Sequence, residues 1–153
     1  MKRFPSKLGL GIDYGVKDGL SSGWLTWHGA AIDGGKSCAE IIDYAARCDG
    51  LVLGVGREYF GMIDAGLHLA LVDGSTGALV DSLQLVWLSA FDRDGAEPLG
   101  ERRWKVVFGH VWQVEVTAAP VRDLYTGLVG FFRGTERLWQ VLRRRRLVLR
   151  RLD

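Results

Sequence analysis

Asp13 has the most suggestive chemical surroundings in the chain. It stands in Gly9-Leu10-Gly11-Ile12-Asp13-Tyr14-Gly15, a strand-like apolar stretch that carries one carboxylate between glycines. A carboxylate fixed on a strand can hold Mg²⁺, and with further carboxylates it can build a two-metal site for phosphodiester cleavage. The plainer role for the same residue is a polar position between strands. His28, His68 and His110 each stand alone among apolar residues, so local spacing assembles no Ser/Cys–His–Asp set. Cys38 and Cys48 form no CxxC pair and have no histidine cluster beside them, which argues against structural zinc. Gly54-Val55-Gly56 lacks the third glycine of a dinucleotide fingerprint. The sequence therefore leads to no expected metal site, cofactor or catalytic residue, with Asp13 kept as the ligand of the nuclease alternative. The remaining chemistry is cationic. Arg143, Arg144, Arg145, Arg146, Arg150 and Arg151 surround an apolar segment that also carries Trp139. Such a group can neutralise phosphates and stack on bases. It can equally meet the carboxylates of a neighbouring subunit, for which arginine is the favoured partner.

Short elements joined by tight turns must position these groups. Glycine supplies 21 of 153 residues, about twice its usual share, with no collagen-like period. Residues 8–14 and 23–28 read as strands. Ser37-Cys38-Ala39-Glu40 matches a capping box, and Ile41, Ile42, Ala45 and Cys48 follow at helical spacing. This predicts a short helix stopping at Gly50, with a strand over 39–44 as the alternative. Residues 51–55 read as a buried strand. Residues 67–72, the turn 73–77 and residues 79–91 read as a hairpin, with Leu83, Leu85, Trp87 and Phe91 on one face and a second turn at 92–95. Trp104, Val106, Phe108, His110, Trp112, Val114 and Val116 share even parity. They predict one long strand, bent or bulged at Gly109 and ended by Pro120. From Leu124 the apolar spacing turns helical, and residues 135–151 are expected to form an amphipathic helix with a cationic face.

The fold class is accordingly mainly β, a sandwich or barrel-like domain with α+β as the alternative. It is expected over residues 1–123, with residues 124–153 as a basic amphipathic helical C-terminal segment. A chain of 153 residues can bury a sufficient core without disulfides or metal. No stretch is apolar enough to span a bilayer, and the N-terminal residues carry no signal-peptide pattern, so a cytoplasmic start is expected. The net charge of +2 is unevenly distributed: residues 133–153 hold eight arginines and two acids, leaving twelve basic and sixteen acidic groups elsewhere. An isolated helix of that length is marginal in water, so the basic segment is expected to become ordered on a partner.

Two resemblances sharpen these expectations. The opening Gly-Ile-Asp-x-Gly of residues 11–15 resembles the first strand of RNase H-like nucleases of the Holliday-junction resolvase-like type, which would make Asp13 a Mg²⁺ ligand. The chain then departs from that family: Val16-Lys17-Asp18-Gly19-Leu20-Ser21-Ser22 replaces its basic-Ile/Leu-Gly segment, and its Asp-Glu-Arg segment is absent. Residues 23–117 resemble tailed-phage tail-tip or baseplate-hub structural proteins. Three pieces carry this: Gly23-Trp24-Leu25-Thr26-Trp27-His28-Gly29-Ala30-Ala31-Ile32-Asp33-Gly34-Gly35, the strand over 83–91 running into Asp92-Arg93-Asp94-Gly95, and Val106-Val107-Phe108-Gly109-His110-Val111-Trp112. This resemblance implies a β-rich, non-enzymatic subunit built into a symmetric ring with copies of itself or other tail proteins. Such a subunit would be made in the host cytoplasm and then carried in the virion. The alternatives are the nuclease and a small nucleic-acid-binding module using the arginine-rich segment.

Overall fold

The computed structural model describes residues 8–17, 20–37, 39, 41–57, 65–87, 96–133 and 137–153. Among them, eleven strands form three antiparallel sheets, with one α-helix near the C-terminus. The first sheet is β1 (Leu10–Lys17), β2 (Leu20–Trp27) and β3 (Ala30–Ser37). The second is β4 (Ile41–Cys48), β5 (Leu51–Arg57), β6 (Ala65–Asp73) and β7 (Leu79–Trp87), in chain order. The third holds β8 (Ala96–Gly100), β9 (Arg103–Phe108), β10 (His110–Arg122) and β11 (Arg144–Arg151), in the order β11-β10-β9-β8. Helix α1 (Leu124–Arg133) and a 3-10 turn (Leu138–Gln140) lie between β10 and β11. The mainly β, sandwich-like class expected from the sequence holds.

The second sheet is the middle layer and explains the continuous apolar run of β5. Leu53 and Val55 pack with Trp104, Phe108 and Trp112 of the third sheet, while Val52 packs with Leu10, Leu25 and Ile32 of the first. A strand covered on both faces has no reason to alternate apolar with polar. Gly54 and Gly56 lie on the side facing the first sheet. A Cβ at Gly54 would overlap the Leu10 side chain, and one at Gly56 would stand 2.8 Å from the Ala39 Cβ. The two glycines that fail as a phosphate motif therefore serve close layering.

The segment 41–48 is a strand, and its helical spacing has a specific origin. Between Ile42 and Tyr44 the register with β5 slips by one residue. That bulge brings Ile42 and Ala45, three apart, to the same face, while Tyr44, Ala46 and Cys48 turn to the other. The Ser37 hydroxyl does accept an amide, but from Ala39, two residues on, at 3.0 Å, and the segment that follows is strand β4.

The even parity over 104–116 holds: Trp104, Val106, Phe108, Trp112, Val114 and Val116 are all buried. The single long strand is corrected to a hairpin. Gly109 has φ +70, and Phe108 pairs with His110, Val106 with Trp112 and Trp104 with Val114. Reversal about one residue pairs positions whose numbers sum to an even value, so parity cannot distinguish it from a straight strand. Pro120 does not end β10, which runs to Arg122 with an irregularity between Val116 and Val121.

The largest correction is at the C-terminus. The helix is Leu124–Arg133, not 135–151, and residues 144–151 are strand β11, paired with β10 through Trp112–Arg151, Val114–Leu149 and Val116–Leu147. Leu147 and Leu149 enter the main core, so residues 144–151 are part of the domain instead of a tail awaiting a partner. Tertiary pairing overrides local helical spacing here. The helix has its own start signal: Asp123 Oδ1 accepts the Thr126 amide at 3.0 Å, as an N-cap carboxylate does. Trp87 is placed in β7, whereas Phe91 and the turn at 92–95 lie outside the described residues.

Candidate interaction surface

The residues singled out for chemistry are dispersed. Asp13 lies on the outer face of the first sheet, exposed, in register with Trp24 of β2, which is in turn opposite Lys36 of β3. Among the described residues no group of three or more His, Cys, Asp or Glu side chains could hold a metal ion. His28 sits in the exposed β2–β3 turn against Trp27, and His110 lies 3.4 Å from Asp153. His68 is buried between the first two sheets, with Nδ1 2.6 Å from the Ser37 Oγ and Nε2 without a hydrogen-bond partner among the described residues. Burial disfavours its charged form and brings its pKa down to about 4. Cys48 is a buried free thiol, and Cys38 lies outside the described residues.

The arginine cluster is largely committed to the fold. Arg143 reaches Asp81 Oδ1 at 3.1 Å and the Ser82 carbonyl at 2.8 Å. Arg145 is only 2% exposed and donates to the Gln140 carbonyl. Arg146 donates through Nε to the Thr117 carbonyl at 2.9 Å. Arg150 binds Asp123 at 2.6 Å beside the Tyr125 ring, and Arg151 binds Asp153 at 3.1 Å. Burial raises the Asp123 pKa, but the Arg150 guanidinium and the Thr126 amide outweigh it and hold the carboxyl below its usual value. Arg144 is exposed, as are Arg122 and Arg137, and none of these three forms an ion pair with a described residue. The four consecutive arginines thus have four different environments, which a strand can give them and a solvated helical face could not.

Asp81 and Thr126 also close the free side of β11. Asp81 Oδ2 accepts the amides of Arg146 and Leu147 at 2.9 Å, and the Thr126 hydroxyl accepts that of Leu149 at 2.9 Å. Neither role is legible from spacing alone, because both partners are remote in sequence.

Besides its exposed arginines, the C-terminal segment offers large apolar side chains outward. Of the large hydrophobic side chains that stay exposed, most lie between residues 121 and 152: Phe132 (76% exposed), Trp139 (72%), Leu138 (67%), Leu142 (59%), Leu124 and Tyr125 among them. Gly127 brings the helix close to this segment, since its missing side chain lets α1 pack directly on the Val141 backbone. Trp139, singled out in the sequence for stacking, is therefore part of an exposed aromatic and aliphatic surface. Leu138 and Leu142, close to it in the chain, are exposed as well. No family model matches the chain, and no curated protein or solved structure matches it either.

Proposed function

We propose that this chain is a non-enzymatic structural subunit that works through its surfaces, of the kind built into a phage tail tip or hub, assembled in the host cytoplasm and retained in the virion. One observation carries the reading: Phe132, Leu138, Trp139 and Leu142 are all exposed, and Arg137 and Arg144 of the same stretch of chain are exposed as well. Large apolar side chains left this exposed on a folded domain are suited to contact with a partner. Aromatic residues with arginine, and no lysine from residue 106 onward, match the composition of protein–protein contacts. The tail assignment rests on the sequence resemblance over residues 23–117; the surface supports assembly in general. Native mass measurement or light scattering on the purified chain tests the reading. A defined oligomer, or a stable complex with another tail protein, is expected. A chain that stays monomeric alone and with candidate tail subunits overturns it.

A further inference from the structure

Independently of the assembly reading, we infer that Arg122, Arg144 and Arg146 form a clamp for one phosphate group, a phosphomonoester or inorganic phosphate, on the outer face of the third sheet. The register puts them there. Arg122 of β10 lies directly opposite Arg144 of β11, and residues so paired point to the same side of a sheet, with Cβ atoms about 5 Å apart. Arg146 follows two positions along β11, on the same side and about 7 Å further on. The other side of this strand pair faces the core: Val116 lies opposite Leu147 and Val121 opposite Arg145, and Val116, Leu147 and Arg145 are buried.

These three charges have no counter-charge among the described residues. Arg122 and Arg144 are exposed, and like charges directly opposite one another weaken strand pairing. A bound anion would turn that repulsion into attraction. Arg146 is half-buried, and its Nε donates to the Thr117 carbonyl at 2.9 Å. A carbonyl carries no net charge, so this bond fixes the guanidinium without neutralising it. Thr117 opens the irregular stretch between Val116 and Val121, and its hydroxyl donates to the Ala119 carbonyl at 2.7 Å, so the group that holds Arg146 is itself held. Neighbouring acids are engaged elsewhere, Asp81 with Arg143 and Asp123 with Arg150. Glu115, on the same face opposite Val148, forms no ion pair with these arginines. Guanidinium groups suit phosphate oxygens in charge and in geometry. A monoester presents three terminal oxygens and close to two negative charges, which matches three arginines at one place. A diester of a nucleic-acid backbone presents two such oxygens and one charge, and matches them less well.

Calorimetric titration with inorganic phosphate at fixed ionic strength tests the clamp, on the unmodified chain and on Arg122→Gln with Arg144→Gln. One phosphate per chain is expected, with a melting temperature higher in phosphate than in chloride of equal ionic strength. The double variant is expected to bind about tenfold more weakly or worse. In chloride it should melt no lower than the unmodified chain, because the substitutions remove a repulsion; in phosphate it should melt lower. A merely structural role for the two arginines would not reverse that order. Vesicles containing phosphatidic acid separate the sources of phosphate: binding that the double variant loses places the group on a lipid, whereas phosphate bound only from solution places it on a soluble ligand. A chain that does not prefer phosphate to chloride, or a double variant that binds phosphate undiminished, overturns the clamp. A double variant that melts lower in chloride overturns the premise that the arginines stand uncompensated. A single-stranded oligonucleotide without terminal phosphates that binds more tightly, per phosphate, than inorganic phosphate overturns the monoester assignment in favour of a nucleic-acid backbone.

Discussion

The two faces of the middle sheet are covered in different ways. Toward the third sheet the core is built of bulk: Trp104, Phe108 and Trp112 interdigitate with Leu53, Leu69, Leu71, Leu83 and Leu85, and the Trp104 indole donates to the Ala46 carbonyl at 3.0 Å across the layers. Toward the first sheet the residues are small: Ala45, Val52 and Ala70 meet Leu10, Leu25 and Ile32, glycines bring the layers together, and the Ser37–His68 pair replaces hydrocarbon. Stabilisation by large aromatic burial tolerates little truncation, whereas stabilisation by close approach tolerates little enlargement. The two sides of one sheet should therefore fail under opposite kinds of change.

Trp104→Ala should have the largest effect, costing about 3–5 kcal/mol in denaturant unfolding, as the loss of a fully buried aromatic does. A cost below about 1 kcal/mol would remove the bulk side of the comparison. Acid should act next, on the side toward the first sheet through His68. The unfolded chain takes up a proton at His68 near its ordinary pKa of 6.5, while the folded chain resists until about 4. The stability held by neutral His68 is complete above 6.5 and is lost as pH falls to about 4, on the order of 3 kcal/mol in all. His68→Leu should flatten that part of the pH profile. Gly54→Ala should cost about 1–3 kcal/mol by pushing Leu10 out of place, an enlargement that the bulkier side has no counterpart for. Asp13→Asn should have the smallest effect, within about 0.5 kcal/mol for an exposed side chain. Branched DNA incubated with Mg²⁺ should stay intact with and without the substitution; cleavage that this change abolishes would instead revive the nuclease.

How much of this was legible in the sequence depended on whether periodicity had a single cause. The buried run of β5, the hairpin of β6 and β7 and the inward set from Trp104 to Val116 could all be read, because continuous apolar runs, period-two burial and turn residues act locally. The strand over 41–48 was hidden by a bulge that converts a spacing of two into three, and the Gly109 reversal by an arithmetic that preserves parity. At the C-terminus the apolar spacing and the arginines favoured a helix. What decides for a strand is the β10 edge, with Asp81 and Thr126 at its far side. The candidate surface was half legible: Trp139 stood out by type, but Arg143, Arg146 and Arg150 are tied down by partners more than twenty residues away in the chain, and sequence spacing carries no trace of those.

The side-chain closure of β11 has a consequence for how copies can meet. An open strand edge is a template: any extended chain can add to it, and the product propagates without a defined end. Asp81 and Thr126 occupy the amides of Arg146, Leu147 and Leu149, so along that stretch an added chain finds these donors taken. Recognition must there be made by side chains, whose fit is particular to one partner and can be undone. An edge closed in this way resists the edge-to-edge growth that leads to fibre.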